Sequence, residues 1–518
     1  MSRSFYALAV VFCLIGCGHP AHALPLEYLP AESPAYAEIE ALSAAGLIDS
    51  LAVFSRPLLR LDLASSLLRA ERTAPSVESN LHFQRLVREV ARELRALGRD
   101  GPPITSRSLL ERDVGTSKIR LSVDARLYGD FDDKRGPAHF QLRDRSAAVL
   151  SGAVQFASWL GVYEDIGFTR IRSQRAFIDP IINHTDLELS VLRAGMTASS
   201  GAVQASLGYE SYRWGPGRRG TLLLSDAAGP FTSLQIRGRL GRRFTATAIS
   251  GVLSRADQKG IAAPRIEATI SPRLTIGLGE AVRFPSSGFD LLYATGLLPY
   301  AVVERIQIRD ASSDSIRGTR RANIMASMDV ILHLGAGVTP YGEFLVDDLA
   351  TEDQTMPDRI GYQVGVRLDR DPQWASIHAR AEYTRVRRFT YATYYGQDFI
   401  YRDRPLGFDL GPDVAVLWLE GSVDLSRDWT VRSTAEFARN GEGFLGESWD
   451  PANGFLANGD LSGTVERRRE FWADLEWLPR AHTTLSVGLG LRRVENQDHV
   501  LDAQQSSLLG RFAIEARY

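Results

Sequence analysis

The chain has 518 residues and a formal net charge of -2, with a pI near 6.5, a balance that argues against a nucleic-acid partner held by bulk positive charge. Mean hydropathy is -0.14, and beyond the N-terminus no run of about 20 apolar residues appears, which argues against a helical membrane protein. The length suits several ordinary domains or one very large one.

The first residues read as an export signal. Arg3 gives a positive start, Phe5 to Ile15 is apolar, and Ala21-His22-Ala23 is a small-x-small cleavage site. Leu14-Ile15-Gly16-Cys17 also reads as a lipobox, a rival processing route ending in lipidation at Cys17. Cys13 and Cys17 both lie in this segment, so a chain cleaved after Ala23 has no thiol and no disulfide chemistry.

From about residue 33 to 98 the pattern is helical. Ser33-Pro34 is a helix start, Tyr36, Ile39 and Leu42 form a stripe, and Gly46 suits a C-cap. Pro57 to Ala70 repeats the pattern, and Phe83, Leu86, Val90, Leu94 and Leu97 follow at helical spacing before Gly98. Arginines and glutamates on the polar faces predict a small solvated bundle with no catalytic role.

After Gly101-Pro102-Pro103 the period falls from 3.6 to 2. Ile119, Leu121, Val123, Ala125 and Leu127 alternate with Lys118, Arg120, Ser122, Asp124 and Arg126, and the same alternation recurs to Phe512, Ile514, Ala516 and Tyr518. A soluble sandwich alternates too. Two features favour a membrane: the runs are roughly 11 to 14 residues long, the length of a tilted spanning strand, and their connections alternate in length. About eighteen runs can be counted; turns after even-numbered ones are tiny, near 158, 242, 272 and 334, whereas 214–230, 284–317, 388–411 and 441–465 follow odd-numbered ones. The predicted fold is an all-β transmembrane barrel of about 18 antiparallel strands with short periplasmic turns and longer extracellular loops, preceded by a small periplasmic α-helical bundle. The expected divisions are a signal peptide over 1–23, a helical domain over 24–112 and an outer-membrane barrel over 113–518.

The least ordinary stretch follows the fifth strand. Tyr212-Arg213-Trp214-Gly215-Pro216-Gly217-Arg218-Arg219 is a turn of defined shape carrying a Trp. With Val203, Ala205, Leu207 and Tyr209 facing lipid, Gln204, Ser206, Glu210, Tyr212 and Trp214 point into a wet lumen near the extracellular mouth, as do Gln235, Arg237 and Arg239 of strand six. Aromatic faces stack on sugar rings while Arg and Glu bond hydroxyls and carboxylates, so the set suits an acidic glycan. The bland alternative is that Trp214 packs its loop inward or joins the aromatic girdle.

Trp214-Gly215-Pro216-Gly217 with Leu222-Leu223-Leu224-Ser225 and Pro230 resembles the signature of the capsule assembly protein Wzi family. The resemblance extends over Tyr36 to Leu68, with Gly46-Leu47-Ile48 and Arg56-Pro57-Leu58, and over Leu406-Gly407-Phe408-Asp409-Leu410-Gly411 in a late loop. Where the family shows an Asn-rich run, this chain has Ser225-Asp226-Ala227-Ala228. The resemblance implies a periplasmic helical bundle, an eighteen-stranded outer-membrane barrel and a lectin that retains capsular or exported polysaccharide at the cell surface. The expected ligand-binding residues are Glu210, Tyr212, Arg213, Trp214, Gly215, Pro216, Gly217, Ser225 and Arg237, with Tyr401 and Arg402 from a second aromatic and basic loop; expected partners are polysaccharide, outer-membrane lipid and the barrel assembly machinery that reads a terminal aromatic strand.

No catalytic or cofactor motif emerges. His139, His184, His333, His378, His482 and His499 are scattered and form no metal-spaced pair, and neither GxSxG nor a P-loop occurs. Leu291 to Val303, too short to span a bilayer as a helix, could fold inward as a plug or lid, or simply pack as a loop. The rival to the lectin is a channel or secretion port with an arginine-lined lumen; an enzyme ranks third.

Overall fold

In a computed structural model, residues 25–48, 51–99, 108–115, 117–134, 140–142, 146–156, 158–170, 187–241, 243–286, 290–296, 298–309, 321–349, 357–371, 375–393, 395–449, 460–480 and 483–517 are described. The signal-peptide reading and Tyr518 lie outside them. Alternation of apolar and polar side chains produces the barrel strands β1 (Ser117–Asp132), β2 (Ala147–Gln155), β3 (Leu160–Arg170), β4 (Leu187–Ser199), β5 (Val203–Glu210), β6 (Phe231–Leu240), β7 (Phe244–Ser254), β8 (Lys259–Ser271) and β9 (Leu274–Pro285). The remainder are β10 (Asn323–Leu332), β11 (Val338–Asp348), β12 (Arg359–Arg370), β13 (Ser376–Val386), β14 (Val414–Asp424), β15 (Trp429–Asn440), β16 (Glu466–Arg480), β17 (Thr483–Glu495) and β18 (Gln504–Arg517). Consecutive strands pair antiparallel, and β18 returns to β1 from Leu509↔Asp132 to Arg517↔Asp124, closing an 18-strand barrel. Leu110–Val114 and Phe140–Leu142 pair only with β1, as short extensions at its two ends.

The outward face is apolar, as a lipid-facing wall requires. Val487, Leu489 and Leu491 of β17 are exposed, as are Val364, Phe471 and Leu475. Trp429 and Trp477, cross-strand partners near the ends of β15 and β16, stack with centroids 5.4 Å apart, in the manner of an aromatic girdle. The inward face is a lattice of ion pairs: Arg265 to Asp329 at 2.6 Å, Arg193 to Asp165 at 2.6 Å and Arg468 to Glu436 at 2.7 Å.

Helices α1 (Ala35–Ala44), α2 (Arg60–Thr73), α3 (Leu81–Glu89) and α4 (Ala91–Ala96) form the head. Gly46 and Gly98 follow helix ends at φ of 71° and 84°, the left-handed turn a side chain disfavours. The solvated-bundle expectation is corrected. The head's polar groups engage the barrel: Glu40 accepts from Arg367 at 3.0 Å and Arg380 at 2.7 Å, Arg85 reaches Asp424 at 3.1 Å, and Gln204 donates to Asp62 at 2.5 Å. Its apolar core extends to Ile331 and Tyr341 of the barrel wall. Burial opposes the Glu40 charge, yet Arg380, Arg56 and Arg367 together lower its pKa to about 2. Amphipathic periodicity reports one polar face per helix, but not whether that face meets water or a wall of arginines.

The Leu291 to Val303 run goes neither inward nor across the mouth. Its helices α5 (Leu291–Ala294) and α6 (Tyr300–Arg309), the second continuing past Val303, pack on the outside of the barrel. Tyr293, Tyr300 and Val303 cover Ala262, Val282 and Phe284, which point away from the lumen, and the Tyr300 amide donates to the carboxylate of Glu280 at 3.1 and 3.2 Å. Glu280 is a polar residue on the lipid-facing side, and the helix start satisfies it.

Candidate functional site

The chain leaves β5 at Glu210 and turns into the lumen. Arg213–Trp214 pairs antiparallel with Ser55–Arg56 of the head, Gly215 N donates to Phe54 O at 2.9 Å, and Trp214 N donates to Leu224 O at 2.9 Å. Gly215 has φ of 126°, and a Cβ there would stand 2.6 Å from a Glu343 carboxylate oxygen. That carboxylate accepts from Leu222 N at 3.0 Å and Leu223 N at 3.3 Å. Gly217 is required for space as well, since a Cβ would lie 2.0 Å from Gly220 O. The two glycines thus let the turn fold down against the wall.

Several expected contacts are therefore interior. Trp214 is 0% exposed, in a cluster with Tyr212, Leu222, Leu223, Leu224, Phe231, Tyr391, Phe399, Leu406 and Phe408. Glu210 accepts from Tyr163 Oη, Tyr212 Oη shares a 2.7 Å bond with Ser233, and Arg237 donates to Thr247 at 3.1 Å and to Ser55 O. The expected wet lumen at these residues is instead a packed plug, because ordering the loop against the head buries more apolar surface than leaving it open. No sugar can stack on Trp214 in this arrangement, and Glu210, Tyr212 and Arg237 are already engaged.

Above the plug, the loop after β5 meets the loop after β13. Ile400–Tyr401 and Arg404–Pro405 form a tight hairpin whose central residues, Arg402 and Asp403, have φ of 49° and 61°. Arg404, exposed, donates to Ala227 O at 3.3 Å. Between the two loops lies a cavity of about 380 Å³ lined by Arg213, Arg219, Ser225, Asp226, Ala227, Arg404 and Asp409.

Its walls are braced. Arg213 bonds Asp226 at 3.0 Å and the carbonyls of Gly217 and Arg218 at 2.7 and 2.8 Å. Arg219 makes a fork to Asp409 at 2.9 and 2.7 Å and also reaches Glu436. Burial works against the Arg219 charge, but Asp409 and Glu436 more than offset it and raise its pKa, so it stays cationic. Ser225 caps a short turn by accepting Ala227 N at 3.2 Å. Gly407, of the Leu406 to Gly411 segment, sits so close that a Cβ would be 2.3 Å from Leu222 O. Three guanidiniums and two carboxylates can bond sugar hydroxyls and a glycan carboxylate together.

Of the expected set, Arg213 and Ser225 line this cavity, Gly215, Pro216 and Gly217 shape the turn beneath it, and Tyr401 and Arg402 stand on the neighbouring hairpin, with Arg402 over the Tyr401 ring at 5.0 Å. Glu210, Tyr212, Trp214 and Arg237 lie below. Arg404 belongs to the same aromatic and basic loop as Tyr401 and Arg402, whereas Arg219, Asp226 and Asp409 were not among the expected site residues; Arg219, adjoining the WGPG turn, and Asp409, within the glycine-bounded late loop, were the available signals.

The family model described as capsule assembly protein Wzi matches residues 128–508. No curated protein matches the chain in sequence. Among solved structures, Escherichia coli Wzi, described as an outer-membrane protein involved in group 1 capsule assembly and a carbohydrate-binding β-barrel, is similar over 96% of this chain and 99% of its own, at 14% identity and a TM-score of 0.60. OccK3 (OpdO) and OpdL of Pseudomonas aeruginosa each cover 77% of this chain, and 95% and 98% of their own lengths, at 10% and 11% identity with TM-scores of 0.43; likeness at that level carries no argument.

Proposed function

The chain belongs to the capsule assembly protein Wzi family, and from that premise we propose that it is a lectin-like outer-membrane protein that binds capsular or exported polysaccharide at its extracellular mouth and helps attach or assemble it there, without catalysis. The observation that carries this reading is the cavity between the loops after β5 and β13, where Arg213, Arg219 and Arg404 face Asp226 and Asp409. Its charge pattern suits a polyhydroxylated ligand bearing carboxylates. The carbohydrate binding described for Escherichia coli Wzi supports it. In this reading residues 1–23 are a signal peptide, 24–112 a periplasmic domain and 113–518 a barrel inserted by the barrel assembly machinery into outer-membrane lipid.

Arg404 is the residue to change, because it is exposed and donates to a carbonyl at 3.3 Å, a long bond that leaves its guanidinium open to the cavity. Arg404→Ala should weaken acidic-glycan binding about tenfold or more, the effect of losing a charge-assisted hydrogen bond, while the heat-modifiable gel mobility of the folded barrel stays unchanged. Equal glycan binding by wild type and variant on an array would remove the cavity from the site. The channel reading is tested beside it: a steady large conductance in planar bilayers would favour transport, and the buried cluster around Trp214 argues for a closed state.

A further inference from the structure

At the periplasmic rim, two imidazoles far apart in sequence meet. His82 lies on α3 and is 4% exposed; His378 is near the start of β13. Their ring centroids are 5.0 Å apart, edge to face. Each Nδ1 is engaged by a carboxylate: that of His82 by Glu38, and that of His378 by Asp369 at 2.7 Å. With the proton held on Nδ1, each Nε2 presents a lone pair. Neither Nε2 has a hydrogen-bond partner, although both are buried. A carboxylate bonded to the far nitrogen, fixing the tautomer and leaving the near one free, is the arrangement that surrounds metal-bound histidines.

The two free nitrogens converge on a third group. His82, His378 and Asp424 each offer one ligand atom, all within 4.8 Å of one another, and Asp424 Oδ2 is 3.3 Å from His378 Nε2. Some point then lies within about 2.8 Å of all three atoms, so sub-ångström side-chain shifts bring them to the zinc distances of about 2.0 to 2.2 Å. Asp371, in the turn after β12, has Oδ1 3.8 Å from His82 Nε2 and is the half-exposed candidate for a fourth position. Asp424 is itself held by Arg85 at 3.1 and 3.2 Å and by Thr430 at 2.5 Å, as ligating carboxylates are.

We propose that His82 Nε2, His378 Nε2 and Asp424 Oδ2, with Asp371 as a fourth ligand, form a site for a divalent transition metal of the zinc type that staples the helical head to the barrel rim. Charge fits the assignment. Glu38, Asp369, Asp371 and Asp424 outnumber the guanidiniums bonded to this cluster, Arg85 and Arg367, by two, the deficit one divalent cation fills. The carboxylate oxygens nearest the two free nitrogens stand 3.3 Å from His378 Nε2 and 3.8 Å from His82 Nε2, and neither is in hydrogen-bond alignment with its ring. Docking of head on barrel, rather than either part alone, creates the site, so occupancy resists undocking by mass action.

The test uses the full chain purified in detergent, stripped with a chelator and titrated with zinc chloride alone. One zinc per chain by elemental analysis, a rise in thermal midpoint on zinc addition, and at least a tenfold loss of affinity in His82→Ala and His378→Ala are expected. Asp369→Ala, which removes the Nδ1 partner of His378 together with a bond to Arg367, should weaken binding about 10- to 100-fold, and His333→Ala, on another rim turn, should leave it unchanged. Cobalt in place of zinc gives a readout that needs no variant: visible absorption bands of a low-coordinate site in the wild type. Wild-type protein that takes up almost no zinc and shows no cobalt bands overturns the site in favour of a protonated ion-pair cluster, as does zinc bound equally well by the double His variant.

Discussion

The amide of Gly215 donates to the carbonyl of Phe54 at 2.9 Å, inside the barrel. One residue belongs to a loop from the extracellular mouth, the other to the periplasmic head, so a backbone bond joins the two ends of the molecule through its centre. Beside it, Arg213–Trp214 and Ser55–Arg56 add a short antiparallel pairing, and Ser55 Oγ donates to Glu267 at 2.7 Å while accepting from Arg265 Nε at 2.9 Å. Barrels of this size leave an aqueous channel unless something fills them; here the filling is a structural axis between the cavity of the extracellular loops and the head.

Trp214→Ala tests that axis. A fully buried Trp in a cluster shared by both extracellular loops should cost about 3 to 5 kcal/mol when truncated, seen as a lower temperature for loss of the compact gel band. Any fall in glycan binding should track the unfolded fraction. A variant as stable as wild type that nevertheless loses glycan would return Trp214 to direct contact with sugar.

The head should come off the barrel in acid. Glu40 faces Arg56 from the head and Arg367 and Arg380 from the wall, and its pKa is depressed to about 2 from an ordinary 4.5. A depressed carboxylate stabilises the docked state above its unfolded pKa, and that contribution, on the order of 3 kcal/mol, is lost as pH falls from about 4.5 toward 2. Protease sensitivity of the head in detergent should rise across that window. In Glu40→Gln the same sensitivity should already be raised at pH 7 and change less with acid; an unshifted wild-type profile would mean Glu40 does not hold the interface.

How far the sequence reaches differs by element. The eighteen runs correspond to the observed strands, and the period-2 alternation put Val487, Leu489 and Leu491 on the outside and Arg492 within, paired with Asp132 at 2.6 Å, because each strand's two faces meet two different solvents. The WGPG turn was legible as a turn, since Gly215 and Gly217 mark backbone that no other residue tolerates. Its depth was not. Whether Trp214 meets water depends on the Phe54 carbonyl that takes the Gly215 amide and on Tyr391, both far away in the chain, and on Glu343 receiving two amides in the lumen. The cavity combines two loops, and the pairing of His82 with His378 requires knowing where α3 docks, so no local spacing announces either.

Topology can be read on intact cells. Leu501 is 71% exposed, in the loop between β17 and β18, and Leu334 is 63% exposed, in the turn after β10. An epitope inserted after Leu501 should be stained without permeabilisation, and one inserted between Gly335 and Ala336 only after it. Surface staining of the second epitope would reverse the orientation.

The helices on the outside of the barrel give the last prediction. Leu292, Leu298 and Val302 are each 43% exposed and Ile306 is 37% exposed, although Tyr293, Tyr300 and Val303 of the same segment are buried against the wall. An apolar face turned away from the barrel is stable only in contact with lipid or its interface, and the Tyr300 amide bond to Glu280 ties the segment to an outward-facing strand position. Both native cysteines, Cys13 and Cys17, precede Ala23, so Val302→Cys gives a single labelling site in a chain cleaved there. An environment-sensitive fluorophore at that site in liposomes should be quenched by brominated lipid and shielded from iodide, and one at Leu501→Cys should show the reverse. Iodide quenching at both sites would place α6 in water, and its exposed apolar face would then need a protein partner to cover it.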